Sequence, residues 1–316
     1  MRIMSGPAYG LSGPPARVAA MTGSAVQGTF EGMPEPLYPA SPSRLLAFLD
    51  CPRRYRFAYL DRPQPSRRSQ RGHTSVGTSV HNALRDWWDL PLPERTPAAG
   101  ARLVREDWVA VGFRDAAQSL QWRERSAGAV TAYLRGVDPA SQPRGIERTV
   151  SFVTGGMRVS GRIDRLDERG GELVVVDYKT SRIPPRDDDA RTSLALALYA
   201  AALWKMWRSP VLRVELHHIP SGGVARHTHT RESIARKVEQ ARQIAGDAAL
   251  ADADYAEHGA ASHAFPAVIG PICGWCDFRA HCPEGQAAGP EHSDWAALEE
   301  AEPVPTSVDM AEPDRP

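Results

Sequence analysis

The pattern of apolar and polar positions changes near residue 145. Up to that point Leu, Val and Trp recur at helical spacing, whereas the following stretches are short β-branched and apolar runs typical of strands. A first helix begins at Ser41-Pro42-Ser43 and ends or kinks at Cys51-Pro52. Further helices are predicted at 78–90, 101–111, 115–135, 190–207 and 231–250, and strands at 145–154, 157–167, 172–180 and 211–219. The helix at 190–207 connects two strands as a right-handed crossover would, which predicts an α/β protein with a mixed sheet.

Two acidic residues stand on strands that are predicted to be neighbours. Residues 157–167 and 172–180 form a hairpin that turns through Glu168-Arg169-Gly170-Gly171, and this pairing places Asp164 and Asp177 on adjacent strands. Asp177 and Lys179 are two residues apart in a buried strand and therefore share a face. We expect two acids and one amine at the same place.

These residue types favour a site for a divalent cation. Carboxylates suit Mg²⁺ or Mn²⁺, hard ions that take oxygen ligands and keep positions open for water and phosphate. Only three of the 38 Lys and Arg residues are lysines, so Lys179 indicates a need for a compact ammonium that can lose its proton when desolvated. The alternative is an ordinary buried ion pair at a strand end. The other histidines, including His217-His218 and His227-x-His229, are expected on strand surfaces.

Composition narrows the class of protein. The chain has 316 residues, 42% of them hydrophobic, with zero net charge, so any contact with nucleic acid must come from local basic patches. The longest apolar run, Leu194–Trp204, is too short to span a bilayer. No signal-peptide pattern opens the sequence, which predicts a cytoplasmic protein without a membrane segment.

Three segments are predicted from local composition. Residues 1–37 are rich in Gly and Pro without periodicity and are expected to be disordered, or else a misassigned start. Residues 288–316 form an acidic tail that is also expected to be disordered. The intervening residues 38–287 are predicted to fold as one domain.

Four cysteines form a second constellation. Cys273, Cys276 and Cys282 follow a Cys-x-x-Cys-x₅-Cys pattern, and Cys51 lies far upstream. Two disulfides are disfavoured in a cytoplasmic chain, whereas four thiolates suit either a tetrahedral zinc ion or an Fe–S cluster. In either case the metal would join the first helix to the end of the domain. Closing so long a loop restricts the unfolded chain by about 4–5 kcal/mol in the entropy model.

With both constellations in view, the chain resembles the RecB-like branch of the PD-(D/E)XK nuclease superfamily. It is most similar in pattern to members with an Fe–S cluster, such as the AddB nuclease domain and the CRISPR-associated Fe–S exonucleases. The resemblance covers about residues 40–285. It is carried by His81 within Gly77–Leu84, by Gly161-x-x-Asp164, by Asp177-Tyr178-Lys179, and by the order of the four cysteines.

The resemblance implies a restriction-endonuclease-like core: a central mixed β-sheet flanked by helices, with an Fe–S clasp joining the N- and C-terminal regions. It assigns one or two Mg²⁺ or Mn²⁺ ions to His81, Asp164, Asp177 and the backbone carbonyl of Tyr178. Lys179 would position or deprotonate the attacking water. The cluster, [4Fe–4S], would be held by Cys51, Cys273, Cys276 and Cys282.

One position departs from the family pattern. Similar proteins have a glutamine four residues before a tyrosine on the helix after the catalytic strand, and this chain has Tyr199 but Ala195. Tyr199 is carried over as a catalytic residue. The missing amide bears on how the substrate strand is held.

The resemblance implies a metal-dependent DNA nuclease, a phosphodiesterase that acts as an exonuclease on single strands or DNA ends in repair or recombination. The expected partners are DNA and a helicase or recombination protein, since no Gly-x₄-Gly-Lys-Ser/Thr motif is present. Two alternatives stay open: a CRISPR-adaptation exonuclease, and a catalytically silent, cluster-bearing DNA-binding subunit. A stretch of arginines and aromatic residues between Arg53 and Arg71 suits phosphates and unpaired bases, or else forms a solvated helix face.

Overall fold

The computed structural model describes residues 36–208 and 213–299. The segments predicted to be disordered, 1–37 and 288–316, lie mostly outside the described residues, which leave out 1–35 and 300–316. The strands are β1 (Tyr38–Ala40), β2 (Gly145–Thr154), β3 (Met157–Arg169), β4 (Glu172–Lys179), β5 (Arg213–His218) and β6 (Val224–Thr228). The helices are α1 (Pro42–Asp50), α2 (Pro52–Tyr59), α3 (Gly72–Asp89), α4 (Pro97–Glu106), α5 (Ala116–Leu134), α6 (Asp187–Thr192), α7 (Leu194–Trp207), α8 (Arg231–His258) and α9 (Pro283–Ala287).

The six strands form one mixed sheet. The order is β1-β3-β4-β5-β6, with β2 also paired to β3. The β1–β3 and β4–β5 pairs are parallel, and the others are antiparallel. The parallel β4–β5 pair is joined through α6 and α7, as the crossover prediction requires. The predicted mixed sheet flanked by helices is confirmed, while the short strands β1 and β6 were not predicted.

The β3–β4 hairpin fixes the register that matters for the site. Its turn contains Gly170 and Gly171, with φ of 61° and 82°, and is closed by the pair Arg169↔Glu172. Two consecutive positive φ values make a type I′ turn, whose twist matches that of the flanking strands. The turn therefore sets which residues of the two strands face each other.

Helices cover both faces of the sheet. One core packs α7 and α8 against the sheet, and it includes Ile163, Leu166, Leu198 and Ala241. The other core packs α3, α4 and α5 against the opposite face through residues such as Leu84 and Val176. This arrangement buries β4 on both sides, which explains its nearly continuous apolar sequence.

The interior strand β5 carries a buried charged group. Glu215 is 1% exposed, and its carboxylate lies 2.9 Å from Arg169 Nη1, 2.7 Å from Arg213 Nη2 and 2.9 Å from His217 Nε2. The expectation that His217 and His218 lie on a strand surface is wrong, since they are 7% and 2% exposed. They are buried because β5 is an interior strand whose two faces are covered, and each histidine finds a polar partner there.

Residues from both ends of the described chain meet. Arg44 on α1 and Tyr55 on α2 both contact the carboxylate of Asp252 on α8, at 3.0 and 2.9 Å. Beyond residue 287, where the tail was expected to begin, Gly72 N donates to Asp294 O at 3.0 Å. Packed structure thus continues past that boundary. Within the described ranges, no helix combines the length and apolar character needed to cross a membrane.

Candidate active site

Two of the predicted site residues lie just beyond the last residue pair of the β3–β4 hairpin. That pair is Arg165↔Val176, and Asp164 and Asp177 are the next residues on their strands. The charge of Asp164 acts on Asp177, so the two carboxylates are close to each other. The carboxylate of Asp164 also accepts a hydrogen bond of 2.8 Å from the backbone N–H of Tyr178, which holds it against β4.

Helix α3 brings His81 to the same place. Its Nδ1 lies 3.4 Å from Asp164 Oδ2, and its Nε2 lies 3.2 Å from the carbonyl oxygen of Tyr178. Val80 and Leu84, which flank His81 on the helix, are 2% and 0% exposed and fix the helix on the sheet. The structure therefore unites His81, Asp164 and the Tyr178 carbonyl, three of the four predicted metal ligands.

The acid and amine of β4 form a direct ion pair. Lys179 Nζ lies 2.5 Å from Asp177 Oδ2. The lysine side chain is 42% exposed and the aspartate 21% exposed, so the pair stands at the mouth of the site with the ammonium toward solvent. Asp177 and Lys179 share a face, as the strand period predicts.

Electrostatic coupling links the acids and the histidine. Burial raises the pKa of Asp177 and the charge of Asp164 adds to this, while Lys179 acts in the opposite direction. Burial alone would lower the pKa of His81, but the hydrogen bond and charge of Asp164, with Asp177 and Glu147, outweigh it and raise the pKa. A histidine that gains a proton so readily indicates an excess of negative charge, which a divalent cation would neutralise.

Glu147 joins this site although no sequence motif pointed to it. It lies on β2 between the pairs Ile146↔Arg165 and Arg148↔Ile163, and its φ of 47° is a left-handed backbone conformation that is uncommon outside glycine. Arg162 Nε holds its carboxylate at 2.7 Å. Burial raises the pKa of Glu147, and the charge of Asp164 contributes. Backbone strain of this kind is concentrated at functional sites, and the torsion angle of one glutamate cannot be read from sequence.

The donor set fits a divalent cation. Each of His81, Glu147 and Asp164 can offer one ligand atom such that all three atoms lie within 4.8 Å of one another. Ligands of an octahedral Mg²⁺, at 2.0–2.1 Å from the ion, are at most about 4.2 Å apart, so a small inward movement would complete the contacts. The mixture of nitrogen and carboxylate oxygen also suits Mn²⁺.

Tyr199 approaches the site from α7. A Cβ atom on Gly161 would come within 2.3 Å of Tyr199 Cε1, so the tyrosine ring lies directly on the glycine backbone. Burial raises the pKa of Tyr199 to about 12, with contributions from Asp177 and Asp164, and the phenol remains a hydrogen-bond donor at neutral pH. Ala195, one helical turn earlier, presents only a methyl group on that side of the helix.

All four cysteines line one cavity. Cys51 stands between α1 and α2, Cys273 and Cys276 lie at a 3₁₀ turn over Pro271–Trp275, and Cys282 precedes α9. The thiols are free. The structure therefore brings together the residues that the sequence predicted as a single ligand set, and no disulfide connects them.

The surroundings of the thiols suit a metal centre. Backbone N–H groups of Val268 and Gly285 donate to Cys51 Sγ at 3.5 Å and Cys282 Sγ at 3.3 Å. Burial raises the pKa of Cys276 and of Cys282, so these thiols hold their protons until a metal displaces them. The cavity is also lined by three arginines, which can offset thiolate charge: Arg53, Arg54 and Arg279.

The basic stretch before α3 is largely committed to internal contacts. Tyr55 and Phe57 are 0% and 4% exposed, so the suggestion that they stack on unpaired bases is wrong. They are buried because α2 packs between α8 and the cysteine segment. Arg54 and Arg56 pair with carboxylates at 2.8 and 3.1 Å.

Comparison with known proteins adds one decisive match. Residues 39–283 match the family model of the PD-(D/E)XK nuclease superfamily. A candidate exonuclease from Eubacterium rectale is similar in structure, with 9% identity, a TM-score of 0.40, and coverage of 65% of this chain and 78% of that chain. The protein SSO0001 aligns with 15% identity, a TM-score of 0.30, and coverage of 66% and 84%.

No curated protein matches the chain. Neither TM-score reaches 0.5, so the assignment depends on the family match alone. That match spans most of the chain and includes every residue of the site around Asp164. The chain therefore belongs to the PD-(D/E)XK nuclease superfamily.

Proposed function

We propose that the protein is a divalent-metal-dependent DNA nuclease of the RecB-like type, an exonuclease on single strands or DNA ends in repair or recombination. The observation that carries this proposal is the grouping of His81, Glu147 and Asp164 beside the β3–β4 hairpin, next to the ion pair of Asp177 and Lys179. A purely structural ion pair between Asp177 and Lys179 would not explain the histidine and the further acids beside it.

The residues that would hold the ion are His81, Asp164, Asp177 and the Tyr178 carbonyl, with Glu147 as an additional ligand. A bound Mg²⁺ or Mn²⁺ supplies charge neutralisation at the phosphate and lowers the pKa of a coordinated water. Lys179 keeps the Asp177 carboxylate in place and presents its ammonium to the open side, where it can donate to a phosphate oxygen or orient water. Tyr199 offers a neutral hydroxyl donor from α7.

The cleavage test uses paired variants. Purified protein with Mn²⁺ and end-labelled single-stranded DNA should release labelled products, and Asp177→Ala and Lys179→Ala should abolish the release. Asp247→Ala and Lys205→Ala change exposed residues of the same type that do not belong to the candidate site and should cleave normally. Labels at the 5′ or 3′ end report polarity, and a circular strand separates exonuclease from endonuclease action. Wild-type protein that cleaves none of these substrates would contradict the proposal.

Ala195 favours a second candidate, a silent DNA-binding subunit. The half-buried methyl group one turn before Tyr199 cannot donate to a substrate strand, unlike the amide usual at this position. Retained DNA binding without cleavage in Mg²⁺ or Mn²⁺ would establish this candidate. Cleavage that depends on Asp177 would exclude it.

We also propose that the four cysteines hold a [4Fe–4S] cluster. Among the described residues, the one group of three or more metal-ligating side chains whose ligand atoms all lie within 4.8 Å of one another is that of His81, Glu147 and Asp164, so no three of the cysteine sulfurs are all that close together. A tetrahedral zinc ion with Zn–S distances of about 2.3 Å would draw its sulfurs to within about 3.8 Å of each other. Hydrogen bonds to sulfur, as Cys51 and Cys282 accept, are one means by which proteins tune Fe–S clusters.

Elemental analysis of anaerobically purified protein tests the cluster. The expected result is about four iron atoms per chain and a brown colour that bleaches on reduction. Colourless protein that contains zinc and no iron would contradict the cluster and leave the nuclease proposal intact.

A further inference from the structure

Arg71, immediately before α3, is a buried charge without a hydrogen-bond partner. The residue is 5% exposed, and its Nε, Nη1 and Nη2 atoms are all buried without a hydrogen bond. Its guanidinium lies 5.1 Å from the ring centre of Trp275. The indole face attracts the positive charge but accepts no conventional hydrogen bond, so the donors of the guanidinium stay unsatisfied. A buried guanidinium without hydrogen bonds lowers the stability of the fold unless a ligand accepts those hydrogen bonds.

The cavity beside Arg71 has a volume of about 340 Å³ and is open on one side. It is lined by Arg68, Arg71, His73, Thr74, Trp275 and Asp277, among others. Arg68 is already paired with Glu291 and with Asp294, the latter at 2.7 Å. Among the described residues no carboxylate forms an ion pair with Arg71, although Asp277 lines the same cavity. Arg71 is thus the cation that remains available here.

The first turn of α3 contributes backbone donors to the same cavity. His73 and Thr74 are the second and third residues of the 18-residue helix, and no side chain in the described chain caps its start. The N–H groups at these positions have no partner within the helix, and the helix dipole places partial positive charge there. Burial and the charge of Arg71 lower the pKa of His73, which keeps its ring neutral and able to donate or accept.

The Arg71 cavity adjoins another cavity that extends toward the candidate active site. A second cavity of about 570 Å³ shares His73 and Ala297 with the first and extends along α3 to Thr180 and Ser181. Thr180 directly follows Lys179. From His73 to His81 the helix rises about 12 Å, at 1.5 Å per residue. A ligand that occupied the Arg71 cavity and continued along the second cavity would reach Thr180, the neighbour of Lys179.

We propose that Arg71 and the first turn of α3 form a phosphate-binding site. This site would bind the nucleic-acid strand at a phosphate other than the one that is cleaved. The oxygens of a phosphate would satisfy the guanidinium donors and the N–H groups of His73 and Thr74 together. The proposal rests on the proposed function in one respect, namely that the bound phosphate belongs to a nucleic-acid strand. The phosphate is either an internal phosphodiester or a terminal monoester, and both present the same oxygens.

The first experiment follows thermal unfolding of the intact protein with inorganic phosphate or chloride at equal ionic strength. Arg71→Gln removes an uncompensated buried charge, so in chloride the variant should melt no lower than wild type. Phosphate stabilises folded proteins in general, so the specific effect is the difference between the two proteins: phosphate should raise the melting temperature of wild type more than that of Arg71→Gln. If Asp277 instead pairs with Arg71 in solution, Arg71→Gln will melt lower and phosphate will raise both melting temperatures equally, which overturns the proposal.

The second experiment measures binding of fluorescent single-stranded oligonucleotides in EDTA, so no catalytic metal is needed. Arg71→Gln should weaken binding by about tenfold or more, since hydrogen bonds to a charged group are lost. The slope of log affinity against log salt should become shallower by about 0.7, the value for one phosphate on a single strand. Arg102→Gln, which removes an arginine from the exposed face of α4, should bind as wild type does. Equal affinity and slope for Arg71→Gln and wild type would overturn the site.

The oligonucleotide ends identify the source of the phosphate. If a terminal monoester is bound, a 5′-phosphorylated strand will bind more tightly than a 5′-hydroxyl strand and Arg71→Gln will erase the difference. If an internal phosphodiester is bound, the two strands will lose affinity equally. If Arg71→Gln weakens binding but the wild type cleaves no substrate, the nuclease proposal is wrong and the phosphate site stands. If the wild type cleaves DNA but Arg71→Gln binds it as tightly as the wild type does, the phosphate site is wrong and the nuclease proposal stands.

Discussion

The contact between Gly161 and Tyr199 provides the sharpest test of how the site is built. Replacement of Gly161 by alanine would place a Cβ atom 2.3 Å from Tyr199 Cε1 and 3.2 Å from Cζ and the hydroxyl. Carbon atoms pack at about 3.5–4.0 Å, so the ring must withdraw by more than about 1 Å. Insertion of a methyl group into a packed site costs about 1–3 kcal/mol, and we expect about 2 kcal/mol here because α7 is held by the core.

Urea unfolding and cleavage assays on the same preparations measure both consequences. Gly161→Ala should lower the free energy of unfolding and, by moving Tyr199, reduce cleavage while the acids stay in place. Gly246→Ala on α8 is the matched control: its Cβ would meet nothing within 4 Å, and alanine in a helix is favoured by up to about 1 kcal/mol.

A double-mutant cycle assigns the cause. In a Tyr199→Ala background the new methyl group has room, so Gly161→Ala should there be neutral or slightly stabilising, with a coupling of about 1–2 kcal/mol. If the penalty is the same in both backgrounds, the tyrosine contact is not its origin. The interpretation of the Gly161 position would then be wrong.

Three further predictions follow from other parts of the structure. Glu147→Gln should weaken Mn²⁺ binding about tenfold or more by isothermal titration, because one charged ligand of the His81 group is lost; unchanged binding would remove Glu147 from the site. Glu215 is surrounded by His217 and Arg169, which outweigh burial and hold its pKa at about 2, below the ordinary 4.5. The stabilisation, about 3 kcal/mol, should be complete above pH 4.5 and disappear as pH falls toward 2, so Glu215→Gln should be destabilising in urea at pH 7 and nearly neutral at pH 2. Cys282→Ala should lower stability by about 2–5 kcal/mol in anaerobic thermal unfolding, since the proposed metal centre would close a very long loop; melting equal to that of the wild type would refute the proposed clasp.

The sequence predicted the part of the site that depends on strand period and hairpin register. The strand period places Asp177 and Lys179 on one face, and the Gly170-Gly171 turn sets a register that brings Asp164 close to Asp177. Glu147 depends instead on a third strand and on an unusual torsion angle, and neither leaves a trace in composition or spacing. The same holds for the buried Glu215 and His217, whose alternating polar pattern resembles that of an exposed strand until β6 and the helices cover it.

Helix α3 extends from the neighbourhood of the proposed cysteine centre to the proposed metal site. Its first turn adjoins Trp275, which stands between Cys273 and Cys276, and its middle carries His81. A helix transmits position along its axis because its backbone hydrogen bonds make it nearly rigid over two turns. Loss of the proposed cysteine centre would first make Trp275 mobile and with it the lining of the Arg71 cavity. His81 would be affected last, because Val80 and Leu84 hold its part of the helix in the core. Damage to the cysteines should therefore affect the grip on a nucleic-acid strand before it affects metal binding at Asp164.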